Sequence, residues 1–345
     1  MGNFLSHPIE EKEIDYKNYE KISYCIGSMQ GYRLSMEDAH NVLINEDQSI
    51  IVFGVFDGHG GDQCSKYLAE NLPKYIFKRL NHHHKSHKNQ NPWSNPQNVI
   101  HLLKNSFFKL DHDLYSKQHQ FDLINCGSTG IIIVIINSII YVANTGDSRC
   151  IISIKGKPKT LSFDHKPNNM SERVRIENSN GYIINNRVNE ILALSRAFGD
   201  FKFKLQFLQN TRNEYLQKNM NNLNKKLIHL PPELFQVTVE PDVLLYDYKV
   251  QNLPEFIVIA CDGIWDCFKN GQLIQLIRDK LVLGWRLNKI VEHILNTSLS
   301  LSNHFTGVGY DNMTIIIIPI QVEGQSLDDW YKLMINRIAN EKGLN

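Results

Sequence analysis

Four aspartates lie beside apolar runs of the kind that form buried β-strands. Asp57 follows the run at residues 50–56, Asp147 and Asp262 follow similar runs, and Asp311 precedes another. A single Asp-Gly pair after a strand is most often a plain turn, but glycine or asparagine adjoins all four of these aspartates. Four aspartates placed alike therefore indicate one oxygen-rich cation site that folding assembles.

Oxygen ligands of this kind are preferred by hard divalent cations, so the set favours Mg²⁺ or Mn²⁺ over zinc. Two such ions about 3.5 to 4 Å apart lower the pKa of a bridging water and hold a phosphoryl oxygen for in-line attack. Asp57 is the best candidate for a ligand shared by both ions, because it leaves its strand together with the Gly58 carbonyl. Nearby in sequence, Arg33 offers a guanidinium that grips phosphate, and His59 has a pKa suited to protonating a leaving alkoxide.

The spacing of residues along the sequence indicates which group is the nucleophile and which carboxylates lie near Arg33. None of the cysteines starts a Cys-x5-Arg motif, so water is the expected nucleophile. Arg33, Glu37 and Asp38 lie within six residues of one another. A structural ion pair and a functional cluster are both compatible with that spacing, and the four aspartates elsewhere favour the functional interpretation.

Hydrophobic spacing predicts the elements that position these residues. Residues 22–27 and 182–194 are strand-like, and residues 131–143 form a hairpin that turns at Asn137 and Ser138. Helices are predicted at residues 65–80, 99–114, 171–180, 273–281 with Asn270 as N-cap, 287–295 and 326–342. Because hairpins dominate the strands and the helices come in groups, we predict antiparallel sheets covered by helices.

Three polar segments are predicted to lie outside this framework. Residues 1–20 are expected to be an exposed leader, and residues 203–232, rich in Asn and Lys, an insertion. Residues 81–98 form another candidate insertion, which contains His82, His83, His84 and His87. A histidine run can bind transition metals, but in a polar stretch broken by proline a solvated loop is the favoured interpretation.

Composition limits the class of protein. The 345 residues are 42% hydrophobic and 21% charged, as in an ordinary soluble globular protein, and we expect a single large domain. Lys plus Arg number 37 and Asp plus Glu 36, so no net charge favours nucleic acid as a partner. The six cysteines form no Cys-x-x-Cys pair, which predicts reduced thiols in an intracellular protein. The sequence has neither a secretory signal nor an apolar run that could span a membrane.

The first six residues, Met-Gly-Asn-Phe-Leu-Ser, match the pattern for N-myristoylation at Gly2. A frayed terminus with a chance match is the alternative. One myristoyl chain gives only reversible membrane binding, and the leader adds no polybasic patch. We therefore predict a cytoplasmic protein that is partly bound to membranes as a peripheral protein.

Nine motifs in order extend across residues 20–320 and resemble those of the PPM (PP2C) metal-dependent serine/threonine phosphatases. They are residues 28–40, Phe56-Asp-Gly-His-Gly-Gly61, Gly127-Ser-Thr129, Ala143-Asn-Thr-Gly-Asp-Ser-Arg149, Asp164-His-Lys-Pro167, Leu192-Ala-Leu-Ser-Arg-Ala-Phe-Gly-Asp200, Val239-Glu-Pro-Asp242, Ala260-Cys-Asp-Gly-Ile-Trp-Asp266 and Asp311-Asn-Met-Thr314. The resemblance implies an α+β fold, a four-layer αββα sandwich in which two central antiparallel β-sheets are flanked by helices. It also implies a binuclear Mn²⁺ or Mg²⁺ centre.

By position, the resemblance assigns a role to each candidate residue. It implies that Asp57 bridges both metals, that Gly58 gives its carbonyl to one, and that Asp262 and Asp311 hold the other. Glu37 and Asp38 act mainly through water, Arg33 binds phosphate, His59 is the general acid, and Asp147 and Asp266 bind a third, weaker metal. The departures from the family pattern, at Cys64, Gly130 and Glu190, involve no implied ligand.

The predicted protein is a monomeric phosphatase domain at residues 21–322, followed by an amphipathic helix at residues 323–345. It hydrolyses phosphoserine and phosphothreonine in phosphorylated proteins through attack by a metal-activated water. The alternative is a catalytically weak family member that serves as a regulatory binding module. The active enzyme is favoured because all implied ligands are present. A metal-dependent nuclease would need a basic groove, which the near-zero net charge does not support.

Overall fold

The structure is a computed structural model that describes residues 4–86, 92–117, 125–204 and 235–344. The strands are β1 (Ile9–Asn18), β2 (Ser23–Gly31), β3 (Ala39–Ile44), β4 (Ile50–Phe56), β5 (Gly58–His59), β6 (Gly127–Ser128), β7 (Gly130–Ile136), β8 (Ile139–Thr145), β9 (Arg149–Ile154), β10 (Lys157–Thr160), β11 (Ile183–Ile184), β12 (Arg187–Val188), β13 (Phe198–Gly199), β14 (Asp242–Asp247), β15 (Phe256–Ala260) and β16 (Met313–Pro319). The helices are α1 (Gln63–Ser86), α2 (Pro96–Ser116), α3 (Met170–Asn178), α4 (Asp262–Trp265), α5 (Asn270–Val282), α6 (Leu287–Ser300) and α7 (Leu327–Lys342), and a 3₁₀ turn lies at Pro92–Ser94.

Two large sheets form the centre of the molecule. One has the strand order β1-β2-β16-β15-β9-β10 and the other β14-β8-β7-β4-β3, and all neighbours are antiparallel. Every residue of β4, β7 and β16 is buried, as expected for apolar strands covered on both faces. A small sheet, β13-β6-β5, lies beside the point where β4 ends.

The helices complete a sandwich of four layers. Side chains such as Phe53, Ile133 and Ile316 are buried between the two large sheets and form the central core. Helices α1 and α2 pack their apolar faces on the outside of the five-stranded sheet, and α5, α6 and α7 cover the six-stranded sheet. The predicted α+β sandwich is confirmed, because each sheet buries one face on its partner and the other under helices.

The hairpin predicted at residues 131–143 is confirmed as β7 and β8. Asn137 (φ 54°) and Ser138 (φ 65°) both adopt left-handed backbone conformations. Two successive left-handed residues are typical of the turn that matches the twist of a two-residue hairpin. Asparagine tolerates this conformation better than most residues, so the sequence carried the signal for the turn.

The exposed leader predicted for residues 1–20 is wrong for residues 9–18, which form β1 at the edge of the six-stranded sheet. Most of its side chains are exposed and more than half are charged, so the sequence shows no clear alternating apolar pattern. Charged side chains on an edge strand protect it from pairing with other chains. Tyr16 also meets α7, where its hydroxyl lies 3.3 Å from that of Tyr331.

The loop predicted at residues 81–98 is wrong at its two ends. Helix α1 continues through Ser86 and α2 begins at Pro96, and Trp93 between them is buried with its Nε1 donating to the Leu80 carbonyl (3.0 Å). No proline or glycine interrupts residues 74–86, so nothing in that stretch stops the helix. The histidine side chains of this stretch lie outside the described residues.

Three further predictions concern residues 203–232, residues 182–194 and the N-cap of α5. The insertion at residues 203–232 lies outside the described residues apart from its first two. The strand-like stretch at residues 182–194 contains only the short strands β11 and β12. Asn270 is not the N-cap of α5: Lys269 holds that position, and the Asn270 side chain accepts a hydrogen bond from Arg149 (2.6 Å).

Helix α7 is an integral part of the sandwich. Trp330 is buried and donates from Nε1 to the carbonyl of Glu255 (3.1 Å), and Arg337 reaches the buried Glu255 carboxylate (3.4 Å). The amphipathic helix predicted near residues 326–342 therefore packs on the domain. Among the residues that the structure describes, no helix is both long and apolar enough to cross a membrane.

Candidate active site

Asp57 lies where β4 ends and β5 begins. Thr129 fixes its backbone, since its Oγ1 accepts from the Asp57 N–H (3.1 Å) and its own N–H donates to the Asp57 carbonyl (2.8 Å). A Cβ at Gly58 would lie 2.4 Å from the carbonyl oxygen of Glu37, so only glycine fits at this position. The buried strand and the tight turn together place the Asp57 carboxylate and the Gly58 backbone at the sheet edge.

Asp57 belongs to two clusters of potential ligand atoms, in each of which the atoms lie within 4.8 Å of one another. One cluster joins Asp57 to Asp147 and Asp262, and the other joins it to Asp38 and Cys261. These residues come from the ends of β4, β8 and β15 and from the segment before β3. Folding thus brings three of the four strand-end aspartates together, with Asp57 common to both clusters.

The proximity of these carboxylates makes ionisation unfavourable without a cation. Burial, followed by the charges of Asp262 and Asp38, raises the pKa of Asp57 well above its ordinary value. Burial also raises the pKa of Asp262, with Asp147 adding to the effect. Burial raises the pKa of Asp38 to about 7, although a hydrogen bond from Thr314 (2.7 Å) opposes this shift.

The residues present fit a hard divalent cation. Within the described parts of the chain, Asp38 Oδ1 is buried without a hydrogen-bond partner, so a strong acceptor is left to be satisfied. Cys261 lies close enough to be a ligand, but burial raises the pKa of its thiol well above the ordinary value. Its Sγ lies 3.5 Å from the Asn312 carbonyl oxygen, as a thiol donor. A hard divalent cation prefers oxygen to sulfur, so the aspartate oxygens are the ligands of this set that suit it.

A cavity of about 490 Å³ opens in front of Asp57. Seven of the predicted site residues line it or present backbone to it: Arg33, Asp57, Gly58, His59, Asp147, Asp262 and Asp311. Leu192, Leu194 and Phe203 provide apolar parts of its wall. Phe4 also lines the cavity, where its ring packs against Tyr310 with centroids 4.9 Å apart.

Arg33 is held at the cavity by an ion pair. Its Nη2 lies 2.6 Å from Asp311 Oδ2, and the Phe4 ring lies 5.8 Å below the guanidinium carbon. Arg33 Nε is buried without a hydrogen-bond partner among the described residues. The guanidinium therefore keeps donors free for an anion in the cavity.

His59 is paired with a residue for which the sequence predicted no role. Its Nε2 lies 2.6 Å from Oδ2 of Asp200, which is 2% exposed and follows β13. Burial opposes protonation of the imidazole, but the charge of Asp200 and this hydrogen bond outweigh it and raise the pKa of His59. A carboxylate thus stabilises the protonated form that a general acid requires.

Lys166, which the sequence did not predict, also lines the cavity, whereas the predicted residues Asp266 and Glu37 do not. Lys166 forms an ion pair with the buried Asp147. Asp266 lies just after α4, one turn beyond Asp262, and its N–H donates to the Asp262 carbonyl (2.8 Å). Glu37 does not line the cavity, and its carboxylate accepts a hydrogen bond from Ser35 (3.0 Å).

The comparisons with known proteins give this site a family. Residues 22–303 match the family model described as Protein phosphatase 2C. The chain belongs to the protein phosphatase 2C family. It is a metal-dependent protein serine/threonine phosphatase, and the resemblance stated from the motifs is confirmed.

The phosphatase is similar to curated relatives along its whole length. It is 38% identical to Protein phosphatase 2C homolog 4 of Saccharomyces cerevisiae, over 100% of both chains. It is 36% identical to Protein phosphatase 2C homolog 3 of Schizosaccharomyces pombe, over 99% of this chain and 75% of the relative. A crystal structure of a phosphatase from Toxoplasma gondii shares the fold, with a TM-score of 0.67 and 21% identity over 92% of this chain and 97% of that one.

Sequence reasoning missed three residues of the phosphatase site: Asp200, Lys166 and Phe4. Asp200 and Lys166 lie inside quoted motifs, so their presence there was a signal, but nothing in the sequence indicates what they contact. His59 and Asp200 are separated by 141 positions, and only the pairing of β5, β6 and β13 brings them together. Phe4 carried no signal beyond being apolar in a polar segment.

Proposed function

We propose that Asp57, Gly58, Asp262 and Asp311 hold two divalent cations in this cavity, beside a bound phosphoserine or phosphothreonine. The observation that carries the proposal is that Asp57 takes part in two ligand clusters at a cavity also lined by Arg33 and His59. A single site thereby offers cation ligands, an anion-binding guanidinium and a proton donor. The substrates are phosphorylated proteins, which the phosphatase acts on as a monomer.

The proposed cations are Mn²⁺ or Mg²⁺, because the donor set contains only hard oxygen atoms. When bound, such ions supply a water of lowered pKa and electrostatic stabilisation of the phosphoryl oxygens. Glu37 and Asp38 are proposed to act through ordered water. Among the described residues, Asp38 Oδ1 has no hydrogen-bond donor, so it is free to accept from such a water. Asp147 and Asp266 are proposed to contribute a third, weaker site, for which a cation competes with Lys166.

Arg33 and His59 perform the remaining chemistry with their own side chains. Arg33 is anchored through Nη2 by Asp311, and its other N–H groups orient the phosphoryl group by binding its oxygens. Water adds to phosphorus and the bond to the serine or threonine oxygen breaks. The proton of the His59 imidazolium then passes to that oxygen, so that the alcohol leaves in neutral form.

The cation ligands can be tested by substitution. Asp57→Asn and Asp262→Asn should lose both bound metal and Mn²⁺-dependent hydrolysis of p-nitrophenyl phosphate and phosphothreonine peptides, as should wild type treated with chelator. Asp113→Asn is the matched control, because this aspartate pairs with Lys109 on the surface of α2, outside the lining of the cavity. Calorimetry with Mn²⁺ and steady-state assays measure the two losses. Full activity of either site variant in metal-free buffer would contradict the proposal that these aspartates hold the catalytic cations.

We further propose that Gly2 is myristoylated and that the phosphatase is cytoplasmic and partly membrane-bound. The support is the sequence pattern at residues 1–6. One acyl chain provides reversible binding, and the basic residues Lys12, Lys17 and Lys21 are offset by acidic neighbours in the same segment. The expected state is therefore a protein divided between cytosol and membrane.

A further inference from the structure

We propose that Asp200 is a positioning residue for His59, holding the imidazole so that Nδ1 is the nitrogen that gives its proton to the leaving alkoxide. The inference rests on the proposed general-acid role of His59. Asp200 Oδ2 accepts from His59 Nε2 at 2.6 Å, so that nitrogen is already committed. A hydrogen bond to one ring nitrogen fixes the tautomer and orientation of the other, which leaves Nδ1 for the reaction.

The backbone of Asp200 is arranged for this contact. Its φ is 48°, a left-handed value that is uncommon for residues other than glycine, asparagine and aspartate. Its N–H donates to the Cys126 carbonyl (3.1 Å), and its own carbonyl accepts from the Phe203 N–H (2.9 Å). A left-handed backbone that is held on both sides and aims a carboxylate at an active-site histidine supports a positioning role.

The neighbouring strand leaves space for the pair. A Cβ at Gly127 would lie 2.2 Å from Asp200 Oδ2 and 2.5 Å from His59 Nε2. Any side chain at position 127 would therefore separate the carboxylate from the imidazole. The glycine in β6 thus permits the contact between His59 of β5 and Asp200, which follows β13.

Helix α2 fixes the segment that carries Asp200. Asp111 is buried on α2 and accepts from the Gly199 N–H (2.8 Å) and from Lys204 Nζ (2.8 Å). Lys204, also buried, donates in addition to the Ala197 carbonyl (3.0 Å). These bonds hold both sides of Asp200 without using any proposed metal ligand, so its position is set by the fold itself.

The competing explanation is that Asp200 and His59 form an ion pair that only stabilises the fold. The two explanations differ in how the loss of activity on substitution of Asp200 depends on the leaving group of the substrate. A positioning residue matters only when the leaving oxygen needs a proton, whereas loss of stability affects every substrate equally. The threonine alkoxide released from phosphothreonine is a poor leaving group and needs a proton. The p-nitrophenolate released from p-nitrophenyl phosphate needs little protonation.

The test uses two variants of the full chain that tolerate the left-handed backbone, Asp200→Asn and Asp200→Gly. Asparagine keeps an acceptor without the charge, and glycine removes both. With Mn²⁺ present, kcat on a phosphothreonine peptide should fall by roughly 10-fold for Asn and roughly 100-fold for Gly. The kcat on p-nitrophenyl phosphate should change by less than about twofold, and Mn²⁺ affinity by calorimetry should stay unchanged.

A double-mutant cycle decides whether Asp200 acts through His59. In the His59→Ala background, either substitution at Asp200 should cause no further loss on the peptide. Asp242→Asn is the matched control, since it breaks a second Asp–His pair, with His165 (3.1 Å), that does not involve His59. It should reduce activity on both substrates in equal proportion, if at all.

The outcomes separate this inference from the proposed function. If His59→Ala lowers kcat equally on the two substrates, both the general-acid role of His59 and the positioning role of Asp200 are overturned. Suppose that His59→Ala lowers kcat more on the peptide than on p-nitrophenyl phosphate. If both Asp200 variants then lose activity equally on the two substrates, or lose none, only the positioning role is overturned. Additive losses in the double variants would overturn it as well.

Discussion

Lys166 brings a positive charge to the carboxylate clusters. Its ammonium pairs with Asp147, a buried carboxylate that also lies in the Asp57–Asp262 cluster. Burial disfavours the charged amine, yet the negative charges of Asp147 and Asp262 outweigh it and raise the pKa of Lys166. Lys166 thus stays charged at neutral pH and competes with any cation that Asp147 could bind.

We predict that Lys166→Met will tighten the weakest Mn²⁺ site by about tenfold, because it removes a competing charge next to the shared carboxylate. Asp147→Ala is the opposite variant and should abolish that site while the two stronger sites persist. Titration calorimetry resolves the sites. Identical site numbers and affinities in wild type and both variants would exclude a third cation at Asp147.

At the residue scale, the sequence predicted what followed from local pattern. Asp57 and Asp262 end recognisable apolar strands, so their convergence could be expected from strand ends alone. The pairing of Asp200 with His59 could not, because it depends on how β13 is added to β6. The clash that would follow from any side chain at Gly127 is likewise a property of the assembled sheet.

At the element scale, α3 is tied to the rest of the domain by a buried ion network. Glu172 is 2% exposed and accepts from Arg175 (2.7 Å) and Arg196 (2.8 Å), and Arg196 also pairs with Asp242 (3.0 Å). Burial alone would raise the pKa of Glu172, but the two guanidinium groups outweigh it and lower that pKa to about 2. The segment between α3 and β13, which includes cavity residue Leu192, is thus anchored electrostatically.

We predict that Glu172→Gln will lower the free energy of unfolding at pH 7 by on the order of 3 kcal/mol. Since folding depresses this pKa, the stabilisation is complete above about pH 4.5, the ordinary value for Glu, and is lost as pH falls towards 2. The difference between variant and wild type should therefore shrink in urea titrations at pH 3. Glu177→Gln, at an exposed pair with Arg173 on the same helix, should have little effect at either pH. A difference that did not change with pH would contradict the role of the Glu172 charge.

Elements were predictable where a period or a turn residue marked them. The β7–β8 hairpin had both, an apolar run on each side and Asn137 at the turn. Strand β1 had neither, because its stability comes from backbone pairing with β2 while its charged side chains face solvent. Helix α1 extends beyond its apolar stripe for a related reason, since residues 81–86 are polar and continue it without leaving a hydrophobic signal.

At the scale of the whole molecule, the sandwich gathers residues from across the chain, and the first described residues reach its active face. The Leu5 N–H donates to the Tyr32 carbonyl (2.8 Å), next to Arg33. We predict that Gly2→Ala will shift the phosphatase from membrane to cytosol, because it removes the acceptor for the acyl chain, while hydrolysis of soluble substrates stays unchanged. Labelling with an alkyne myristate analogue, followed by fractionation, measures this. An unlabelled wild type, or a membrane fraction unaffected by the substitution, would refute it.

The position of Phe4 at the cavity has a geometric consequence for that anchored state. Two residues span at most about 7 Å, so an acyl group on Gly2 would be attached within about that distance of the backbone of Phe4, whose ring lies beside Arg33. The mouth of the active site would then lie against the lipid headgroups rather than turn towards the aqueous phase. Large folded domains could not enter that gap, whereas flexible phosphorylated tails that extend along the bilayer could, and anchoring would thereby sort substrates by shape and location without any change in the catalytic groups.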